Sequence, residues 1–133
     1  VRVVLDASAA VDALLPTARH DAVLDQLDRL VAAELVTPSL VDTEVLSALA
    51  RLERAGTITA AVADAAVARW SRLPCERVDT TALLPDVWSL RGGLRVSDAH
   101  YVALALRLDA TLLTTDARLA RSPVAGLSVL LAG

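Results

Sequence analysis

A chain of 133 residues with a formal net charge of −3 has the size of one domain and can bury roughly two-thirds of its unfolded surface without a disulfide or zinc staple. Its residues are 55% apolar but only 2% aromatic, with no Phe and no Met, so the core must be Ala, Val and Leu, and with Trp70, Trp88 and Tyr101 the only aromatic residues an aromatic platform for stacking single-stranded bases is not expected. All 13 basic residues are Arg; the missing Lys excludes P-loop and Schiff-base chemistry, and the single Cys75 excludes an internal disulfide or a Cys-based zinc site. No apolar run approaches the roughly 18 residues of a membrane span, and the N-terminal stretch lacks signal-peptide regions. The chain therefore reads as one soluble cytoplasmic domain over 1–133.

Residues 2–5 (RVVL) predict a buried strand ending on Asp6, and Ala7–Leu15 a short helix stopped by Pro16. A second helix is expected over 18–33, with Ala22, Val23, Leu27, Leu30 and Val31 on one face. A short strand at 35–39 leads into a helix over 40–55, which Gly56 terminates. The next helix, 59–72, places Val62, Ala66 and Trp70 four residues apart. The alternating "CERVD" (75–79) reads as a strand, and 81–91 as helical. Ser97 is the expected cap of a helix over 98–108. "ATLLTTD" (110–116) is a buried strand reaching a second terminal carboxylate. A helical turn over 117–120 and a last strand over 127–131 follow. Strands alternating with helices imply an α/β domain with a mostly parallel sheet.

In such sheets ligands bind beyond the carboxyl ends of the strands. Asp6 and Asp116 both follow strands and should share that edge, although capping the next helix would account for either one alone. Glu44 falls inside the apolar stripe of Val41, Val45, Ala48 and Leu49, where a Glu either reaches outward to solvent or faces a polar site. Asp42 and Glu53 lie off that stripe and read as surface charges. Asp98, in the first turn of its helix, shares a face with Val102 and Ala105. Four converging carboxylates would repel by about 4 kcal/mol per pair at ~4 Å and an effective dielectric near 20. They would need protons or a cation, and Mg²⁺ or Mn²⁺ suits oxygen donors. Asp12 is expected at the edge of the first helix rather than in the site. His100 is expected to point elsewhere, which leaves no histidine general base.

The contexts "VVLDASAAVD", "PSLVDTEVLSALARL", "SDAHYVALA" and "LLTTDARLA", in that order, resemble the PIN-domain ribonucleases, and among them the VapC toxins of bacterial toxin–antitoxin pairs. The resemblance covers essentially the whole chain. It implies a three-layer α/β/α fold with a central parallel sheet of order 3-2-1-4-5. It also implies a Mg²⁺- or Mn²⁺-dependent endoribonuclease that inhibits translation and growth. Asp6, Glu44, Asp98 and Asp116 fall on the family's acidic positions, with Asp6 and Asp98 as direct metal ligands and Glu44 and Asp116 as direct or water-mediated ones. Ser8 and Thr114 match its supporting hydroxyls, Thr114 orienting a carboxylate or water. The implied partners are an RNA substrate, a VapB-type antitoxin and a second copy of the chain.

Positive charge for RNA could come from Arg51, Arg54, Arg69, Arg72, Arg91 or Arg95, each of which could equally be a solvated surface group. The alternative function is a non-catalytic PIN-like scaffold that binds RNA or protein. A receiver-type phosphoryl-transfer domain would need a Lys, and a haloacid-dehalogenase-type site would need an Asp where Ser8 stands.

Overall fold

Val3, Val4 and Leu5 follow one another without a polar break, the pattern of a strand covered on both faces. The computed structural model describes residues 1–122 and 124–133, and in it these three side chains are buried. They lie in β1 (Arg2–Leu5). The other strands are β2 (Glu34–Pro38), β3 (Cys75–Val78), β4 (Thr111–Thr114) and β5 (Ser128–Leu131). Their order in the sheet is β3-β2-β1-β4-β5, and every neighbouring pair is parallel, as expected from the sequence. β1 and β4 are adjacent, with Leu5 opposite Leu113, so Asp6 and the residues after Thr114 emerge side by side at the carboxyl edge.

The helices are α1 (Ala7–Leu14), α2 (His20–Arg29), α3 (Val41–Arg54), α4 (Ala60–Arg72), α5 (Leu84–Ser89), α6 (Val96–Leu108) and α7 (Ala117–Ala120), with a 3-10 turn at Thr81–Leu83 before α5. α1 packs against α2, α3 and α4, while α6 lies on β1, β2 and β4 and carries α5. The two helix groups and the sheet share one continuous core. It is built from Val, Leu and Ala, with Tyr101 its largest fully buried side chain. No helix among the described residues is long and apolar enough to cross a membrane.

Several local expectations need correction. α2 is shorter than 18–33, because the chain must turn at 30–33 to enter β2: Ala33 N–H donates to the Leu30 carbonyl and Glu34 N–H to that of Val1. Val31 is thereby left exposed. α4 buries Ala63, Ala66 and Trp70, not Val62. At 3.6 residues per turn a row at spacing four drifts around the helix, and Ala63 aligns better with Trp70. α6 begins two residues early, at Val96, with Arg95 as its N-cap residue and no side-chain cap, so Ser97 does not cap it. Asp42 is no idle surface charge: its carboxylate accepts from Trp70 Nε1 at 2.7 Å and Arg77 Nη2 at 3.0 Å, while Arg77 stacks on the Trp70 ring. This knot ties α3 to α4 and β3. Partial burial pushes the Asp42 carboxyl up, but Arg77 and Trp70 outweigh it and hold it below the usual range. Cys75 is buried in β3, which pushes its thiol up to about 11 and makes it a poor nucleophile.

Candidate active site

Asp6 follows β1, and its N–H donates to the Leu113 carbonyl of β4 at 3.2 Å. Its side chain does what a helix-capping Asp does, accepting from Ala9 N–H at 2.9 Å. It also accepts the Ser8 hydroxyl on Oδ1 at 2.7 Å and the Thr114 hydroxyl on Oδ2 at 2.5 Å. Both hydroxyls are fixed in turn, Ser8 Oγ accepting from Thr115 N–H and Thr114 Oγ1 from Asp116 N–H. With three donors on it and roughly four lone-pair sites, the carboxylate keeps one open. Asp6 is only 4% exposed. Burial raises its pKa to about 6; the bonds from Thr114, Ala9 and Ser8 oppose that rise, and the charge of Asp98 adds to it.

Asp116 caps α7, its Oδ1 accepting from the Arg118 and Leu119 N–H groups at 2.9 and 3.3 Å. Its partial burial is outweighed by those N–H groups and the Arg118 guanidinium, which hold its carboxyl below the usual range. Asp98, in the first turn of α6, has a side chain only 18% exposed. Its Oδ2 accepts from Arg118 Nη2 at 2.9 Å, and the same nitrogen lies 3.0 Å from Asp116 Oδ2. Arg95 Nε stands farther off, 4.0 Å from Asp98. Glu44 accepts from the phenol of Tyr101. Burial, then this bond to Glu44, raise the Tyr101 pKa, so the phenol remains a donor over the working pH range.

These groups meet in one cleft of about 910 Å³ at the carboxyl edge of the sheet, lined by Asp6, Glu44, Asp98 and Asp116 and also by Ser8. Thr114 sits fully buried beneath it. Asp12 also lines the cleft, contrary to the expectation that it stays outside: the hydroxyls of Thr17 and Thr115 donate to it at 2.5 and 2.6 Å and turn it inward. Of the arginines singled out, Arg51 and Arg95 line the cleft. Arg69 donates instead to the Leu14 carbonyl at the end of α1, and Arg91 stacks on Trp88. Arg19 and Arg118 line the cleft too and escape a reading of the sequence, as does Tyr101. The placement of Arg118 two residues after Asp116, and of Tyr101 three after Asp98, was the available signal. His100 is held by the Val96 carbonyl on its own helix.

The donors offered to the cleft are carboxylate and hydroxyl oxygens, which fit a hard divalent cation such as Mg²⁺ or Mn²⁺ rather than zinc. Two of the carboxylates already converge on one cationic nitrogen. Among the described residues no three His, Cys, Asp or Glu side chains stand close enough to cage an ion as they are.

A family model described as PIN domain matches residues 3–124. Ribonuclease VapC3 of Mycobacterium tuberculosis is 46% identical over 59 residues, which are 44% of this chain and 43% of that protein. Ribonuclease VapC9 of the same organism is 41% identical over 54 residues, 41% of this chain and 42% of that protein. The alignments thus span less than half the length of these relatives. Among solved structures, VapBC2 of Rickettsia felis bound to a DNA fragment from its promoter has a TM-score of 0.72 at 18% identity, with all of both chains covered. PAE2754 of Pyrobaculum aerophilum has a TM-score of 0.67 at 22% identity, covering 97% of this chain and 90% of that one. At these identities the structural likeness is one of fold.

Proposed function

The chain belongs to the PIN domain family, and on that premise we propose that it is a divalent-cation-dependent endoribonuclease of the VapC toxin type. One observation carries the reading: carboxylates from four separate places in the chain, Asp6, Glu44, Asp98 and Asp116, line one cleft together with four arginines. Mg²⁺ or Mn²⁺ bound there would neutralise phosphate charge and acidify a water. Asp6 and Asp98 are its direct ligands in this reading, and Glu44 and Asp116 ligate directly or through water. Ser8, Thr114 and the Ala9 N–H aim Asp6, and Tyr101 aims Glu44. Arg19, Arg51 and Arg95 receive the flanking RNA phosphates. One carboxylate of the set takes the proton of the attacking water, and the products carry a 5′-phosphate and a 3′-hydroxyl. The partners proposed are a VapB-type antitoxin, whose basic residues would enter the acidic cleft, and a second copy of the chain. The cytoplasm is the proposed compartment.

The test is cleavage of a structured RNA by purified, antitoxin-free protein. Cutting with Mg²⁺ or Mn²⁺, stopped by EDTA and by Asp6→Asn or Asp98→Asn, is the expected result. Cutting that survives EDTA or either substitution removes the proposed site from the chemistry. The second reading is a non-catalytic RNA- or protein-binding scaffold. The pairing of Arg118 with Asp98 and Asp116 favours it, because that cation neutralises two of the carboxylates without a metal. RNA binding with no cutting under any divalent ion would select the scaffold.

A further inference from the structure

The Arg118 side chain places one cationic group between two carboxylates of the cleft. A single nitrogen, Nη2, is hydrogen-bonded to Asp98 Oδ2 and Asp116 Oδ2 at once. Those carboxylates come from different elements, the first turn of α6 and the cap of α7, and a shared positive centre offsets their mutual repulsion. We propose that Arg118 is the resident counter-ion of the cleft and competes with a divalent cation for Asp98 and Asp116, so that it sets how tightly the chain takes metal. The inference rests on the reading of this cleft as a cation site.

Two features make exchange feasible. The Arg118 N–H is capped by Asp116 Oδ1 while its guanidinium holds the other oxygen, Oδ2, so the head group can leave Oδ2 with the cap on α7 still in place. The Arg118 side chain is also 45% exposed, so no packed wall has to move. A metal ion and the guanidinium cannot both hold the same two oxygens, since each carries positive charge and metal ligation requires a closer oxygen than a hydrogen bond does. Arg95, farther from Asp98 and 71% exposed, is a weaker second counter-ion and does not replace the bridge.

The experiment is Mn²⁺ binding to the full chain, by calorimetry and by the electron paramagnetic resonance of free Mn²⁺, with no RNA present. Arg118→Met keeps the aliphatic stem and removes the charge. It is expected to bind Mn²⁺ about tenfold tighter than the parent, the scale of losing one charge-assisted bridge. Arg118→Lys, which keeps a charge but not the fork, should fall between them and serves if the Met variant does not fold. In EDTA the Met variant should melt below the parent, and Mn²⁺ should raise its melting temperature further than the parent's. Unchanged or weaker Mn²⁺ binding by Arg118→Met overturns the competition and leaves the cation site standing. Binding that Asp98→Asn does not diminish in either background, or no binding at all, overturns the cation site and this inference with it.

Discussion

Replacing Asp6 by Asn should stabilise the metal-free protein at neutral pH while abolishing its proposed chemistry. Burial lifts the Asp6 pKa from 3.8 to about 6. An acid whose pKa is raised on folding stabilises the fold fully below its unfolded value and loses that contribution as pH rises through the folded one. At 1.36 kcal/mol per pH unit the loss approaches about 3 kcal/mol by pH 7.5, with about 1 kcal/mol of it falling between pH 5 and 7.5. Asn keeps the acceptor for Ser8 and Ala9 but meets the Thr114 hydroxyl with an N–H₂ group, a mismatch costing about 1 kcal/mol. The expected net gain is therefore about 2 kcal/mol at pH 7.5, vanishing toward pH 4. Asp42, Asp79 and Asp116 shift downward, so their contributions change below pH 4 and do not disturb the window. Urea unfolding in EDTA across pH 5–7.5 measures both proteins. Parent stability that is level or rises with pH, or an Asn variant with the parent's slope, would refute the burial argument.

Thr114→Val removes a donor that lowers the Asp6 pKa, so the acidic limb of a cleavage–pH profile should move upward; an unmoved limb would detach Asp6 from the rate. Tyr101→Phe keeps the buried ring and loses only the bond to Glu44. It should cost about 1–2 kcal/mol in denaturant unfolding and lower RNA cleavage at least severalfold, and unchanged cleavage would mean that Glu44 needs no aiming. Asp42→Ala strands the indole N–H of Trp70 and removes the carboxylate partner of Arg77, leaving it the Cys75 carbonyl. A loss of about 1–3 kcal/mol in stability with specific activity intact is expected, because the knot lies away from the cleft; a fall in specific activity of the folded variant would show coupling.

Part of the fold is legible in the sequence because the central strands β1 and β4 are built on apolar runs and Pro16 and Gly56 mark the ends of α1 and α3, whereas β3 alternates and the turn at 30–33 carries neither Pro nor Gly. Val3–Leu5 and Leu112–Leu113, each short and close to a turn signal, read as buried strands, and Gly56, at φ +75°, ends α3 as its lack of a Cβ allows. What escapes is decided by contacts between distant residues. Asp42 reads as a surface charge until Trp70 and Arg77 arrive from α4 and β3. Asp12 reads as an edge residue until Thr115, 103 positions away, donates to it. Tyr101 is indistinguishable from core until Glu44, 57 positions earlier, gives its hydroxyl a partner. Periodicity carries no information about which side of a half-buried helix such a partner will approach.

The capping reading and the functional reading of Asp6 and Asp116 are not rivals. A carboxylate that caps a helix uses one oxygen on the backbone N–H groups and leaves the other for a different partner, Thr114 at Asp6 and Arg118 at Asp116. Asp116 shows the division plainly, with Oδ1 on the N–H groups of Arg118 and Leu119 and Oδ2 on the guanidinium. The helix start thus fixes the position and orientation of the acid that the cleft uses. Asn caps about as well as Asp, whereas Ala loses the cap at a cost of about 1 kcal/mol. Asp116→Asn should therefore keep the α7 cap while weakening Mn²⁺ binding, and Asp116→Ala should weaken binding and also loosen α7 by about 1 kcal/mol with the fold retained. Hydrogen exchange at the Arg118 and Leu119 amides separates the two effects: protection lost in the Asn variant would show that the charge, and not the cap, holds this end of the cleft.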